Sequence, residues 1–208
     1  MKAIVYDTYG PPDLVELREI DKPALTDDGL LVRVHAASLN MFDWHMLTGV
    51  PYVARMQAGL RKPKNGAMGV DFAGTVEGVG KDVEGFRPGD EVFGARTGAL
   101  AEYVCVRKTV ATKPSNVTFE QAAAVPLAGI TALQGLRDKG RIQAGQKVLI
   151  NGASGGVGSL AIQIATSFGA EVTGVCSTGM STPPARSEPR TSSTTRRRTS
   201  PAAGSGMT

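Results

Sequence analysis

Glycine recurs four times within residues 151–158, directly after a short apolar run. A glycine lets the backbone turn sharply and lets a phosphate group approach without a Cβ in the way. The unpaired N–H groups at the start of a following helix, together with the helix dipole, would then face that phosphate. The pattern predicts a pyrophosphate-binding turn of six residues: Gly152, Ser154, Gly155, Gly156, Val157 and Gly158.

The residues around this turn predict a strand, a helix and a second strand. Residues 146–150 are predicted to form a buried parallel strand, and residues 171–176 a second strand. Between them lies an apolar stripe with a period of 3.6, and Gly169 stands just past its end. This context favours dinucleotide binding over a tight turn without a ligand, which stays the alternative. The stripe consists of Val157, Leu160, Ala161, Ile164, Ala165 and Phe168.

The residues at the end of the second predicted strand help to distinguish an NAD site from an NADP site. NAD sites usually carry Asp or Glu about 20 residues after the turn, where the carboxylate binds the ribose hydroxyls. Here Cys176, Ser177 and Thr178 follow the strand, and none of them is a carboxylate. The hydroxyls of Ser177 and Thr178 can donate to a 2′-phosphate, so the sequence predicts NADPH. After the turn, however, no Arg or Lys occurs before Arg186.

Residues 1–115 contain short apolar runs separated by Gly and Pro, which is typical of a small, strongly curved antiparallel barrel. The pattern changes after Pro114, where Thr118 and Gln121 have the spacing of a helix capping box. We therefore predict a barrel domain at residues 1–115, a partial dinucleotide-binding domain at 116–178 and a disordered tail at 179–208. The predicted local elements are strands at residues 30–36, 75–79, 91–94 and 102–106, a turn at 87–90 and a helix at 130–136.

The predicted tail differs sharply in composition from the rest of the chain. Residues 181–208 hold five Arg and one Glu but no Val, Ile, Leu, Phe, Tyr or Trp. Such a segment buries too little apolar surface to offset the entropy of ordering. It carries the whole net charge of +4, and without aromatic residues or a binding fold this charge does not indicate nucleic-acid binding. An out-of-frame continuation and a natural polar tail are both open explanations.

The sequence also bears on cellular location. No run of about 18 apolar residues occurs, so no membrane span is predicted. Asp7 interrupts the first apolar run too early for a signal peptide. Cys105 and Cys176 lie in strand-like runs and are predicted to be buried thiols in a reducing compartment. The sequence therefore predicts a cytoplasmic protein with no membrane partner.

Five segments, in this order, resemble the medium-chain dehydrogenase/reductase superfamily, and in particular its zinc-free quinone-oxidoreductase branch. The resemblance implies a chaperonin-10-like β-barrel domain followed by an α/β Rossmann domain, which would be incomplete here. It also implies NADPH-dependent hydride transfer to a small-molecule substrate, namely a quinone, enone or carbonyl compound, and a homodimer for a full-length chain. The segments are residues 36–40, 69–74, 87–90, the alanine-rich residues 122–136 and the glycine turn.

The resemblance further implies which residues act in catalysis. Asn40 matches an active-site position, where its amide would donate to the substrate oxygen or position the nicotinamide. Asp43 follows on the same segment and would line the cleft, and Thr131 matches a position near the nicotinamide. The alternatives are a helix cap for Asn40, a solvated helix face for Asp43 and ordinary helix packing for Thr131.

A catalytic zinc ion is not predicted. Such a site needs thiolate, imidazole or carboxylate ligands, usually three from the protein. Zinc-dependent relatives that this chain resembles carry a Cys near residues 40–43 and a His where Asp71 stands, and neither is present in this chain. A substrate carbonyl would then be polarised by hydrogen bonds alone.

Two alternatives to an oxidoreductase stay open. The chain could be a non-catalytic barrel module that binds a partner, or a truncated product without function. Titration with the cofactor on a monodisperse sample distinguishes the three hypotheses.

Overall fold

The computed structural model describes residues 1–64 and 66–177, apart from the side chains of Ala54 and Gln57. The chain divides into two compact units, one of residues 1–127 and one that begins at Ala128. The domain boundary predicted after residue 115 stays a prediction, and the predicted tail at 179–208 lies outside the described residues. No helix in the described part of the chain is long and apolar enough to cross a membrane.

The first unit is built on a five-stranded antiparallel sheet with the order β6-β3-β4-β5-β7. Its longest pair, β3 with β4, has register shifts at Leu31/Val32 and between Val34 and Ala36. Such bulges bend a strand and increase its twist, which gives the strong curvature that the short glycine-rich strands predict. The strands are β3 (Leu30–Ser38), β4 (Asp71–Val79), β5 (Glu91–Ala95), β6 (Tyr103–Val106) and β7 (Val110–Thr112).

The N-terminal residues add a two-stranded antiparallel ribbon to this unit. Strand β1 (Lys2–Val5) pairs with β2 (Glu16–Glu19). Isolated bridges from Ala3 to Ala101 and from Val5 to Ala67 connect β1 to the loops that flank the sheet. The first apolar run of the sequence is therefore a strand, as its early interruption by Asp7 predicts.

The core of the first unit lies on one face of the sheet. Alternate residues of each strand point into this core, because side chains along a strand point to opposite faces in turn. The opposite face of the sheet is covered by α3 (Phe119–Ala123), whose Ala122 and Ala123 pack near Ala73. The buried core residues are Leu30, Val32, Phe72, Val76, Val92, Ala99, Val104 and Val106.

The helices confirm one local prediction and correct another. Thr118 caps α3, since its Oγ accepts from the Gln121 N–H at 3.2 Å and its own N–H donates to the Gln121 side chain at 3.0 Å. The helix predicted at residues 130–136 is divided, because α4 (Pro126–Leu133) continues as a π-helix at Gln134–Lys139. The wider turns of a π-helix pair each N–H with the carbonyl five residues earlier, as in the bond of 2.8 Å from Gly140 to Gly135. The first unit also contains α1 (Met41–Thr48) and α2 (Arg55–Ala58).

The second unit contains the predicted parallel pair, β8 (Lys147–Asn151) and β9 (Glu171–Val175), joined by α5 (Gly156–Ser167). Gly169 follows α5 with a φ of 77°, which confirms the predicted helix end. The predicted burial is wrong at two places. Val157 is 43% exposed, and Leu149 is 68% exposed because only one face of β8 is packed. The packed residues include Ile142, Ala165 and Val172, with Leu136, Val148, Ile150, Ile162 and Phe168 around them.

The two cysteines also differ from the expectation of full burial. Cys105 and Cys176 are free thiols, and both are only half-buried. Cys105 lies on β6 close to Thr26, with 3.7 Å between its Sγ and the Thr26 hydroxyl oxygen. Neither thiol forms a disulfide, so the cysteines act as small packing residues at the edges of their units.

A buried lysine connects the sheet of the first unit to α3. The Lys113 side chain is only 5% exposed, and its Nζ lies 2.9 Å from a carboxylate oxygen of Glu91. The same ammonium group donates to the Val117 carbonyl at 2.7 Å and lies 5.1 Å from the ring centroid of Phe119. The lysine therefore holds the segment that leads into α3 against the end of the sheet.

Lys113→Met should destabilise the first unit, because the Val117 carbonyl loses its donor and Glu91 loses its cation. We expect a loss of about 1–3 kcal/mol in the free energy of unfolding, the usual cost of an unsatisfied buried polar group. Urea denaturation followed by circular dichroism measures this loss. The matched control is Lys81→Met, whose ion pair with Asp27 is largely exposed and which should change stability by less than about 0.5 kcal/mol. Equal losses in the two variants would show that burial of the lysine contributes nothing.

Candidate functional site

The most buried polar side chain of the first unit is Asp71, at the start of β4, with 0% exposure. The Leu127 N–H donates to its two carboxylate oxygens at 3.0 and 3.1 Å. The Asn40 side-chain amide donates to the same carboxylate at 3.1 Å, and Ser38 provides a further hydrogen bond. The carboxylate therefore joins three segments of the fold: β4, the start of α1 and the start of α4.

A second buried carboxylate lies one turn into α1. Asp43 is 4% exposed, and it accepts the backbone N–H of Asn40 at 2.7 Å and a backbone N–H from Gly69. Asn40 occupies the position before the first residue of α1, so the cap alternative describes its backbone correctly. The solvated-face alternative for Asp43 is wrong, because the N–H groups of Asn40 and Gly69 draw its carboxylate inward.

These two carboxylates and a tyrosine share one desolvated environment. Burial raises the pKa of Asp71, while the bonds from Leu127 and Asn40 oppose the shift and the charge of Asp43 adds to it. Burial likewise raises the pKa of Asp43. The pKa of Tyr6 is raised by burial, then by Tyr9 and Asp43, and Tyr6 is only 2% exposed. The site therefore holds two carboxyl groups that favour the protonated form more than exposed ones do.

A cavity of about 450 Å³ lies beside this cluster in the first unit. Its apolar wall is formed by Phe42, Val70 and Leu127. Phe42 directly precedes Asp43, and Val70 directly precedes Asp71. The Leu127 N–H donates to Asp71. The cavity therefore adjoins the backbone that carries the buried carboxylates. Its volume falls within the range of about 300–1,000 Å³ that is usual for small-molecule sites.

The glycine turn of the second unit lies between the end of β8 at Asn151 and the start of α5 at Gly156. Gly152 has a φ of 74°, which favours glycine, and its N–H donates to the Val175 carbonyl at 2.9 Å. A Cβ on Gly158 would lie 2.1 Å from the carbonyl oxygen of Gly152. Gly158 therefore serves the close packing of the helix on the turn, and it is buried.

The other residues of the turn face outward and leave the helix start accessible. Gly155 precedes α5 without a side-chain cap, and Gly155, Gly156 and Val157 are exposed. The N–H groups of the first turn of a helix have no acceptor within the helix, so they can bind an anion. Ser154 is half-buried in the turn, and Ser177 is exposed two residues after β9. This arrangement fits the pyrophosphate of a dinucleotide, whereas Thr178 lies outside the described residues.

The remaining predicted residue, Thr131, is exposed on α4 in the second unit, the unit that contains the glycine turn. The His45 side chain forms a local hydrogen bond, in which its Nδ1 donates to the Val50 carbonyl at 2.6 Å. Among the described residues, no group of three or more His, Cys, Asp or Glu side chains is arranged to hold a metal ion.

Residues 26–116 match the family of alcohol dehydrogenase GroES-like domains. A 2-methylene-furan-3-one reductase of Solanum lycopersicum is 39% identical over 193 residues, which are 86% of this chain and 48% of that protein. The structure of the quinone oxidoreductase of Coxiella burnetii is 38% identical with a TM-score of 0.75, and covers 86% of this chain and 57% of its own. A mycobacterial protein solved in complex with NADPH is 30% identical with a TM-score of 0.74, and covers 86% and 53%.

The curved sheet, the glycine turn and these matches define a GroES-like domain followed by a partial Rossmann region, which confirms the predicted fold class for the described residues. The chain belongs to the medium-chain dehydrogenase/reductase superfamily, in its quinone-oxidoreductase-like branch. It spans about half the length of the curated relatives that it matches.

Sequence reasoning noted Asp71 only as the residue that replaces a zinc-ligand His, not as a partner of Asn40, and it did not name Tyr6 as a site residue. Asp71 stands between Val70 and Phe72 in an otherwise apolar strand start, and an acidic residue in such a run was the available signal. Tyr6 gives no comparable signal, because a tyrosine at the end of an apolar run is common in ordinary cores. Its proximity to Asp43 becomes visible only in three dimensions.

Asp71→Asn should change how stability depends on pH. Burial raises the pKa of Asp71 in the folded protein, so the folded state binds more protons and loses stability as pH rises. This loss begins near the unfolded pKa of about 3.9 and is complete above the raised folded value. We therefore expect the free energy of unfolding of the wild type to fall relative to that of the variant as the pH rises above about 4. Urea denaturation across this range measures the difference.

The control for this experiment is Asp138→Asn. Asp138 is exposed, and the hydrogen bond from Arg137 lowers the pKa of its carboxyl. Any stability that Asp138 contributes is present at neutral pH and is lost as the pH falls. This pH dependence is opposite in direction to the one expected for Asp71. A stability difference between wild type and Asp71→Asn that does not vary with pH would contradict the assignment of Asp71 as a buried ionisable group.

Proposed function

We propose that this chain is the barrel and first dinucleotide-binding segment of an NADPH-dependent, zinc-independent oxidoreductase that reduces a quinone, enone or carbonyl compound. The observation that carries the proposal is the glycine turn, whose exposed residues lead into an uncapped helix between two parallel strands. This geometry suits the pyrophosphate of an anionic dinucleotide. The activity, substrate and homodimeric state of a full-length protein, and a cytoplasmic location, are parts of the same proposal.

In this proposal the second unit holds the cofactor. Gly152, Ser154, Gly155, Gly156 and Val157 accommodate the pyrophosphate, and Gly158 maintains the turn by allowing the helix to approach it. Ser177 and Thr178 donate to the 2′-phosphate, and Thr131 borders the nicotinamide. When bound, NADPH supplies a hydride. The preference for NADPH over NADH follows from the absence of a carboxylate at Cys176 and Ser177, because a carboxylate there would repel the 2′-phosphate.

The first unit is proposed to bind and polarise the substrate. Asn40 donates an amide N–H to the substrate oxygen, while its other N–H is bound to Asp71. Asp71 therefore fixes the rotation of the amide, and Asp43 holds the backbone of Asn40 through a bond of 2.7 Å. Both aspartates are positioning residues in this scheme, and Asn40 alone contacts the reacting carbonyl.

The similar proteins support this proposal by what their names state. The tomato relative is a reductase of 2-methylene-furan-3-one, a compound in which an exocyclic methylene is conjugated to a ketone. The Coxiella burnetii relative is a quinone oxidoreductase, and the mycobacterial one was solved with NADPH. Conjugated carbonyl compounds are thus the substrate class common to these names and to a site that polarises an oxygen.

The first prediction of this proposal is that NADPH binds more tightly than NADH, and that Gly155→Val weakens NADPH binding by about tenfold or more. A side chain on Gly155 would stand at the exposed start of α5, where the proposal places the pyrophosphate. The fluorescence of the reduced nicotinamide during titration measures both affinities. Gly135→Ala is the control, because a Cβ there meets no atom within 4 Å.

Three outcomes of this titration would contradict the proposal. They are equal affinity of wild type and Gly155→Val, tighter binding of NADH, and no binding of either cofactor by a monodisperse sample. Gly158→Val is unsuitable as the test variant, because its Cβ would collide with the backbone of Gly152 and unfold the turn. Oxidation of NADPH by a quinone and by an enone, followed by absorbance, then tests the reaction itself.

The second prediction is that the protein holds no stoichiometric zinc after dialysis and that chelators leave its melting temperature unchanged. The reason is that a catalytic zinc needs about three protein ligands, and among the described residues Asn40 and Asp71 bond to each other instead. Elemental analysis and thermal denaturation with and without a chelator measure the two quantities. About one zinc ion per chain, retained through dialysis, would refute this part of the proposal.

A further inference from the structure

The cavity beside the buried carboxylates has a second, strongly basic side. Besides Phe42, Val70 and Leu127, it is lined by Arg96, Arg107 and Lys108. No Asp or Glu lines it. The described residues therefore form a cavity whose lining combines apolar side chains with three cations.

The three cations lie on two separate segments that the sheet brings together. Arg96 directly follows β5, whereas Arg107 and Lys108 lie in the connection from β6 to β7. The Ala95 N–H donates to the Thr109 carbonyl at 2.9 Å, and the Arg96 Nε donates to the Cys105 carbonyl at 3.2 Å. These two bonds hold the end of β5 against the connection, so the positive charges face the same cavity.

The hydrogen-bonding groups of these cations are largely available. Arg107 reaches Asp28 through Nε at 3.3 Å, and Arg96 reaches Cys105 through Nε. Among the described residues, Arg107 is ion-paired with Asp28, whereas Arg96 and Lys108 have no carboxylate partner and the terminal nitrogens of Arg96 form no hydrogen bond. A planar guanidinium with free terminal N–H groups is well suited to a carboxylate or a phosphate.

The charge of this wall is local. Residues 1–180 hold equal numbers of basic and acidic side chains, so the excess of cations at the cavity is not a consequence of overall charge. Arg96 and Lys108, which have no carboxylate partner among the described residues, repel each other, and a bound anion offsets that repulsion. A concave surface lined by one sign of charge also concentrates the field and attracts ligands of the opposite sign.

We infer that Arg96, Arg107 and Lys108 form a binding site for an anionic group on the substrate, a carboxylate or a phosphate. This inference rests on the proposed function and specifies its substrate: a conjugated carbonyl compound that carries a negative charge at the end remote from the reacting bond. The apolar part lies against Phe42, Val70 and Leu127, beside the backbone that holds Asp43 and Asp71. The anion lies between the two guanidinium groups and Lys108.

The test compares three probes on the purified chain without cofactor. Benzylideneacetone is a neutral enone, and its para-carboxylate and para-phosphate derivatives add one anionic group each. Isothermal titration calorimetry should give dissociation constants for the anionic probes that are lower by about fivefold or more, the effect of one or two exposed ion pairs. This advantage should shrink when salt is raised to about 0.5 M.

Two variants locate the effect. The double variant Arg107→Gln with Lys108→Gln, and separately Arg96→Gln, should lose the preference for the anionic probes while binding the neutral enone as the wild type does. Lys81→Gln is the matched control, because Lys81 is an exposed cation outside the cavity. Both anionic probes should bind more tightly than the neutral enone, and the phosphate more than the carboxylate, because it carries about two negative charges at neutral pH.

Equal affinity for the three probes overturns the inference, and so does an anionic preference that survives all three substitutions. The outcome is separable from that of the proposed function. If the chain oxidises NADPH with the neutral enone but shows no anionic preference, the reductase proposal stands and the inference fails. If the anionic probes bind through these residues but no nicotinamide cofactor binds, the anion site stands and the reductase proposal fails.

Discussion

The buried carboxylate of Asp71 is the constraint on which the first unit depends. A charged or partly charged group without exposure costs several kcal/mol of stability, on the order found for buried ions, unless donors surround it. Its donors come from Asn40 and Leu127, which are 31 and 56 positions away in the chain. The fold must therefore bring the start of α1 and the start of α4 to the same end of β4, and the residues beside them form the apolar cavity wall.

The helix starts of the two units differ in whether side chains bind their N–H groups. In the first unit, the N–H groups of Asn40 and Leu127 at the starts of α1 and α4 are bound by Asp43 and Asp71. In the second unit, Gly155 precedes α5 without a side-chain cap, and the residues around it are exposed. Capped helix starts rigidify a substrate-binding framework, whereas an uncapped start keeps its N–H groups available for an anion. This difference supports our proposal that the first unit binds the substrate and the second unit binds the cofactor.

The sequence predicted those features that depend on neighbouring residues. The strands at residues 30–36 and 102–106, the Thr118 and Gln121 capping box and the end of α5 at Gly169 are all local signals, and all are confirmed. The errors concern packing. Val157 and Leu149 have the right spacing for burial, but burial also requires a second layer, which periodicity does not report. The π-helical turns after Leu133 were missed for a related reason, since the same apolar spacing fits both kinds of helix.

The candidate site shows the same limit more clearly. Asn40 and Asp43 were predicted as site residues through a resemblance, but the hydrogen bond from the Asn40 amide to Asp71 was not predicted. The basic cavity wall could not be found at all from composition, since residues 1–180 are electrically balanced and Arg96 is eleven positions from Arg107. Only the pairing of β5 with β7 brings these cations together. Chemistry that depends on a local motif is therefore visible in this sequence, whereas chemistry assembled across strands needs the fold.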